Sequence, residues 1–147
     1  MVSQVQAAEG GPVPAAQVLI YPATDLHFES ESHEEMKADA VIPRDRILFY
    51  LDWYLASEAD KDDPRGSPAL TPDLAGQPPA YVVTCGFDPL RDEGRAYAER
   101  LAAAGVEAVH REWPGQIHAF TVLTRAIPQG EACIAETAAW LRKTLAT

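Results

Sequence analysis

Short uninterrupted apolar runs alternate along this chain with longer segments of helical periodicity. The runs AQVLIYP and PAYVVTCG are rich in branched residues, which is typical of buried parallel strands. EAVHREW is a more polar run in which Ala108 and His110 alternate with Val109 and Arg111, and this favours a strand nearer an edge. The pattern predicts three strands, near residues 17–21, 79–85 and 107–112.

Helical patterns surround these strands. Residues 2–8 resemble the end of a helix that stops at Gly10-Gly11, and Pro43 and Pro89 each open a further helix. A last helix is predicted from about Glu131 to Leu145. The residues predicted to face inward are Ile47, Leu48, Leu51, Tyr54 and Leu55; then Leu90, Tyr97, Leu101 and Ala104; and then Ile134, Ala138, Leu141 and Leu145 with Trp140.

Strands separated by helices predict an α/β fold, with a short parallel sheet of about three strands and helices on both faces. The segment 60–79 holds five of the twelve prolines and shows no periodicity. It is predicted to be a long structured loop, because the strand that follows it needs partners on both sides.

The net negative charge of the chain bears on which kinds of molecule it can bind. Acidic residues outnumber Lys and Arg by ten, so most of the surface repels a phosphate backbone and nucleic acid is a poor candidate partner. The first residues lack a basic n-region, and no apolar run is long enough for a membrane span, so we expect a cytoplasmic protein. Cys85 and Cys133 form no paired motif and are predicted to be buried free thiols.

Two candidate catalytic residues follow neighbouring strands. Asp88 comes just after the second predicted strand, and His118 comes just after the third, beyond a turn predicted at Pro114 and Gly115. Adjacent strands lie about 4.8 Å apart, so the two side chains can come within hydrogen-bonding reach. A carboxylate that accepts from one imidazole nitrogen fixes the tautomer and stabilises the cation formed when the other nitrogen takes a proton.

Structural roles also fit these residues. Asp followed by Pro at a helix start makes a good N-cap, and a lone histidine in a loop is commonly structural. Asp92 and Glu93 need no catalytic role, because acids in a first turn complement the helix dipole and are expected to point away along the helix surface.

The remaining candidates have weaker support. HEEMK begins like a zinc-binding H-E-x-x-H helix, but Lys37 occupies the second ligand position, so His33 is expected on a solvated acidic helix or loop. His27 and His110 have no companion acids at useful spacing and are interpreted as structural or surface residues. The aromatic stripe of Phe49, Tyr50, Trp53 and Tyr54 is expected to cover the sheet or form the edge of a cap.

The motifs DPLRDEG and GQIHAF, with GSPALTPDLAGQPPA before them, resemble the C-terminal part of the hormone-sensitive-lipase family of α/β-hydrolases, which are esterases and lipases. The resemblance covers essentially the whole chain. It implies a partial α/β-hydrolase domain over residues 1–147, with a cap-proximal helix and loop at 43–78 and the segment bearing the triad at 79–147. It also implies that Asp88 is the triad acid and His118 the base, with no metal or organic cofactor. Some of the aromatic stripe could then line an acyl pocket.

Two family elements are absent from the sequence. There is no G-x-S-x-G nucleophile elbow and no HGGG oxyanion loop, and we expect the chain to begin just after the elbow. Ala119 also stands where the family usually has glycine, and it is expected to crowd the histidine loop slightly.

Two hypotheses follow. In the first, the chain is part of a carboxylic ester hydrolase that acts on small or medium acyl esters. In the second, it is a noncatalytic fragment that only binds or pairs with another chain, since no nucleophile or oxyanion donors are positioned. In either case the exposed apolar edge of the QVLIY strand favours recruitment of another chain. We expect association either with a complementary N-terminal half or with a second copy through the last strand, as the resemblance to family dimers implies.

Overall fold

The order of helices and strands follows the predicted alternation. The computed structural model describes residues 2–36 and 41–146. Within these ranges the helices and strands are α1 (Val2–Glu9), β1 (Gln17–Ile20), α2 (Glu31–Glu35), α3 (Arg44–Tyr54), β2 (Ala80–Phe87), α4 (Arg91–Ala103), β3 (Ala108–Ile117) and α5 (Gln129–Leu145). Short 3-10 helices lie at Glu58–Asp62, Pro68–Leu70 and Phe120–Val122.

The three strands form one parallel sheet in the order β1-β2-β3. β2 is central and its residues from Ala80 to Cys85 are buried, as its continuous apolar run predicts. β3 lies at an edge, which confirms the prediction from its more polar sequence. β1 is less buried than its apolar sequence indicated, because no strand from the described residues pairs with its outer side, and Ile20 is 41% exposed.

Helices cover both faces of the sheet, as predicted. On one face Ala80 and Val82 pack with Tyr97 and Leu101 of α4. On the other face Tyr81, Val83 and Cys85 pack with Phe120 and with Cys133 of α5. The two cysteines are buried and free, which confirms their predicted state. Burial raises the pKa of the Cys85 thiol, so this side chain behaves as a small apolar group.

A third apolar cluster joins α3 to the segment after β1. Leu51 packs with Leu26, Phe28 and Leu90, and other residues of the predicted stripe of α3 are partly buried against this cluster. Tyr54 was wrongly predicted to face inward, since it is 70% exposed. The aromatic residues do not cover the sheet, because Phe49, Tyr50 and Trp53 are also exposed.

The inward face of α5 differs from the predicted one. Ile134 and Leu145 are 51% and 58% exposed, whereas Cys133 and Thr137 are buried. The Thr137 hydroxyl donates a hydrogen bond of 2.8 Å to the Cys133 carbonyl, so its polar group is satisfied inside the helix. Cys133 packs against the apolar side chains of β2, and a count of apolar residues alone misses this face.

β3 continues through the turn predicted at Pro114 and Gly115. Proline is tolerated there because β3 is an edge strand and the missing N–H is not needed. The register shifts between the pairs Cys85–Trp113 and Phe87–Ile117, which indicates a bulge. At this bulge a Cβ on Gly86 would overlap the carbonyl oxygen of Pro114.

None of the helices formed by residues 2–36 and 41–146 combines the length and the apolar character that a membrane span requires.

The bulge gives a test of how tightly β2 and β3 are packed. We expect Gly86→Ala to lower the free energy of unfolding by about 2 kcal/mol, because the added methyl group meets backbone that cannot rotate away. Gly115→Ala is the matched control, since a Cβ there meets no atom within 4 Å and φ is not in the left-handed region. We expect this control to stay within about 0.5 kcal/mol of the unaltered chain. Urea denaturation of the three proteins measures both values, and equal losses would contradict the packing described here.

Candidate active site

The structure brings Asp88 and His118 together at the carboxyl ends of β2 and β3. Asp88 follows β2 directly and its side chain is 1% exposed, while the side chain of His118 is 16% exposed. The Asp88 Oδ2 atom lies 2.8 Å from Nδ1 of His118. Because a carboxylate accepts the hydrogen bond, Nδ1 carries the proton of the neutral ring and Nε2 has the lone pair.

The second carboxylate oxygen of Asp88 holds the turn that follows the strand. Oδ1 accepts a hydrogen bond of 3.0 Å from the backbone N–H of Leu90, two residues on, which is the bond of an Asx turn. Asp88 is not the N-cap of α4, because Leu90 occupies that position. Asp88 therefore holds the turn through Oδ1 and contacts His118 through Oδ2.

Tyr21 packs against the histidine ring, a contact that no local sequence pattern indicates. The ring centroids of Tyr21 and His118 are 4.9 Å apart. The Tyr21 hydroxyl donates to Oγ1 of Thr121 at 2.9 Å and accepts from the Thr121 N–H at 3.0 Å. Burial raises the pKa of Tyr21 to about 12, so the phenol stays neutral. Tyr21 thus contacts both the imidazole ring of His118 and the loop that follows this histidine.

The loop after His118 contains a left-handed residue. Ala119 has a φ of 64°, and Phe120 after it is fully buried in the core. A Cβ is disfavoured at such a φ by roughly 1–2 kcal/mol. This strain is the physical cost of alanine at the position where the resembling family usually has glycine.

Asp92 and Glu93 do not point away along the helix surface as predicted. Glu93 is buried, and its Oε1 accepts a hydrogen bond of 2.6 Å from the backbone N–H of Thr24. Asp92 accepts a bond of 2.9 Å from the backbone N–H of Ser32. Burial raises the pKa of Glu93. Both acids fasten the segment after β1 onto the start of α4, a role that no local pattern indicates.

His33 is fully buried, so its predicted solvated position is wrong. Its Nε2 lies 2.7 Å from Oε2 of Glu93, and its ring packs edge-on against Phe28. The attractive partner is sixty residues away in sequence, which explains the error. Lys37, the residue that excludes a zinc-binding helix in the sequence, lies outside the described residues.

The two other histidines have structural partners. His27 was predicted to lack companion acids, yet its Nδ1 lies 2.7 Å from Asp25 and its Nε2 lies 3.2 Å from Asp62. The hydrogen bond to Asp25 raises the pKa of His27. The Nε2 atom of His110 lies 2.8 Å from the Thr84 hydroxyl, and burial lowers the pKa of this histidine.

No group of three or more His, Cys, Asp or Glu side chains within residues 2–36 and 41–146 could hold a metal ion. A cavity of about 620 Å³ lies between α1 and the segment 54–66. Tyr54 and Arg65 line it, but Asp88 and His118 do not.

The family model and the relatives that match this chain agree with one another. A family model described as alpha/beta hydrolase fold matches residues 1–122. The carboxylic ester hydrolase LipN of Mycobacterium tuberculosis is 40% identical over 113 residues, which are 76% of this chain and 30% of LipN. The carboxylesterase NlhH of the same species is 32% identical over 148 residues, covering 99% of this chain and 46% of NlhH. The chain thus spans less than half of the length of these two relatives.

Solved structures agree with this comparison. An ester hydrolase, EH1AB1, from the metagenome of Lake Arreo has a TM-score of 0.93 and 40% identity, over 99% of this chain and 46% of that one. EstE1, a thermostable carboxylesterase from a metagenomic library, has a TM-score of 0.93 and 33% identity, over 98% of this chain and 50% of that one.

The strain at Ala119 can be tested by a single substitution. We expect Ala119→Gly to raise the free energy of unfolding by about 1 kcal/mol, because glycine adopts a φ of 64° without steric cost. Ala135→Gly, at an exposed position inside α5, is the control and is expected to lower it by about 1 kcal/mol. Urea denaturation distinguishes the expected gain in the free energy of unfolding from the expected loss. A loss of stability in Ala119→Gly would show that the loop is not strained at this residue.

Proposed function

Because this chain belongs to the hormone-sensitive-lipase family of α/β-hydrolases, we propose that it supplies the acid and the base of a carboxylic ester hydrolase. The observation that carries the proposal is the bond of 2.8 Å between Asp88 and Nδ1 of His118. It leaves Nε2 as the nitrogen that can take a proton. No other described residue hydrogen-bonds to the ring, so Nε2 is available to an external hydroxyl.

The proposed reaction follows the serine acyl-enzyme mechanism. Nε2 of His118 takes the proton of a serine hydroxyl as its oxygen forms a bond to the ester carbonyl carbon. The same nitrogen returns the proton to the alcohol oxygen as the ester C–O bond breaks, and water then releases the acid by the same two steps. Asp88 keeps the ring in place and stabilises the imidazolium. The reaction needs no metal or organic cofactor, and we propose small or medium acyl esters as substrates.

We propose that the nucleophilic serine lies outside these 147 residues, since no G-x-S-x-G occurs among them. Two of the described serines support this proposal. Ser32 and Ser67 are fully buried, and their hydroxyls donate to the backbone carbonyls of Pro89 and Lys61. Without a nucleophile and oxyanion donors, the isolated chain is expected to be inactive.

We propose that the outer edge of β1 pairs with another polypeptide, either the remaining part of the hydrolase or a second copy. Ile20 is 41% exposed on this strand, and no described strand pairs with its outer side. Unpaired N–H and C=O groups on an apolar edge favour strand addition. Of the two, the remaining part of the hydrolase is the partner that would also bring the serine to His118.

The activity is tested with a short-chain p-nitrophenyl ester. The purified chain is assayed alone and together with the N-terminal part of NlhH that precedes the matched region. We expect hydrolysis only in the mixture. His118→Ala should abolish it, and Asp88→Asn should lower kcat by about ten-thousandfold, because the wrong tautomer is favoured.

His110→Ala is the matched control for loss of an imidazole, since His110 bonds to Thr84 away from the candidate site. We expect this variant to keep most of the activity. Size-exclusion chromatography reports whether the two parts associate. A complex that forms but does not hydrolyse the ester, or hydrolysis that survives His118→Ala, would contradict the proposed role.

A further inference from the structure

The segment after β1 places a buried serine next to the residue that follows Asp88. Ser32 is fully buried, and its hydroxyl donates a hydrogen bond of 2.6 Å to the carbonyl oxygen of Pro89. The same hydroxyl oxygen accepts from the backbone N–H of Asp92 at 3.3 Å. Ser32 is thus tied to the first turn of α4 through both of its hydrogen-bonding functions.

The Pro89 carbonyl belongs to the peptide group whose N–H holds Asp88. The C=O of Pro89 and the N–H of Leu90 are parts of one planar unit, so a force that orients one end also orients the other. That N–H donates to Oδ1 of Asp88 at 3.0 Å, and Oδ2 of Asp88 accepts from His118 at 2.8 Å. One continuous chain of hydrogen bonds therefore runs from Ser32 through a peptide group and Asp88 to His118.

The serine itself is held from both sides. Its backbone N–H donates to Oδ2 of Asp92 at 2.9 Å. The next residue, His33, is fully buried and lies 2.7 Å from Glu93, which also accepts from the backbone N–H of Thr24. These contacts fix the backbone around Ser32 to α4, so the hydroxyl cannot move away from the Pro89 carbonyl without breaking buried polar contacts.

We propose that Ser32 is a positioning residue for the Asp88–His118 pair. Its bond polarises and orients the Pro89–Leu90 peptide, which strengthens the N–H donor that holds the Asp88 carboxylate toward Nδ1 of His118. The effect of Ser32 on catalysis rests on the proposed function. The hydrogen-bond chain itself exists in the unreacted protein and can be measured without substrate.

The chain contains a closely matched control serine. Ser67 is also fully buried, donates to a backbone carbonyl (Lys61) and accepts from a backbone N–H (Leu26) at 3.0 Å. None of its partners touches Asp88 or His118. Ser32→Ala and Ser67→Ala therefore each remove a fully buried hydroxyl with the same kinds of partner. Only Ser32→Ala removes a hydroxyl that belongs to the series of hydrogen bonds leading to His118.

The readout is the tautomer ratio of the neutral His118 ring, measured by 15N NMR on the labelled chain and assigned with His118→Gln. We expect Ser32→Ala to shift the ratio of Nδ1–H to Nε2–H by about fivefold toward Nε2–H, which corresponds to the loss of one hydrogen bond worth about 1 kcal/mol. Asp88→Asn should shift it further in the same direction. Ser67→Ala should leave the ratio unchanged while it lowers the melting temperature by a similar amount to Ser32→Ala.

Two results would overturn the proposal: an unchanged ratio in Ser32→Ala, or an equal shift in Ser67→Ala. If the mixture with the N-terminal part of NlhH hydrolyses esters, Ser32→Ala should also lower kcat while KM stays the same. An absence of hydrolysis would count against the proposed function and not against the hydrogen-bond chain, because the tautomer ratio is measured on the unreacted protein.

Discussion

The hydrogen bond between Asp88 and His118 is the interaction on which the site depends. A carboxylate that is 1% exposed has lost almost all of its water, and this is costly unless each oxygen has a partner. Oδ2 has the imidazole and Oδ1 has the Leu90 N–H, so both requirements are met by groups from two different loops. The parallel pairing of β2 and β3 is what allows this, since it brings positions thirty residues apart to one edge of the sheet.

Much of the remaining polar structure serves the start of α4. Residues 91–93 each contact the segment after β1: Arg91 pairs with Glu35, Asp92 with Ser32, and Glu93 with His33. The charged residues after Asp88 therefore share one structural role. They attach α2 to the helix that follows Asp88. Tyr21, which follows β1 at the beginning of the segment leading to α2, packs against His118.

The sequence predicts the features that depend on local periodicity and chain order. The three strands, their parallel arrangement, the helices on both faces and the buried cysteines follow from apolar runs and stop signals. The proximity of Asp88 and His118 follows from their positions after neighbouring strands. Features that depend on distant partners could not be predicted in this way. The burial of His33 and Glu93 requires knowledge of their pairing across sixty residues, and the inward face of α5 depends on the packing of Cys133 with β2 and Phe120.

Asp88 and His118 are hydrogen-bonded in this chain on its own, and the 1H NMR spectrum in water can detect the proton of that bond. A proton shared between a buried carboxylate and Nδ1 is protected from exchange and strongly deshielded. We expect one exchangeable imidazole resonance far downfield that is lost in both Asp88→Asn and His118→Gln and kept in His33→Gln, which rules out the buried pair with Glu93 as its source. The absence of such a resonance in the unaltered chain, or its persistence in Asp88→Asn, would contradict the account.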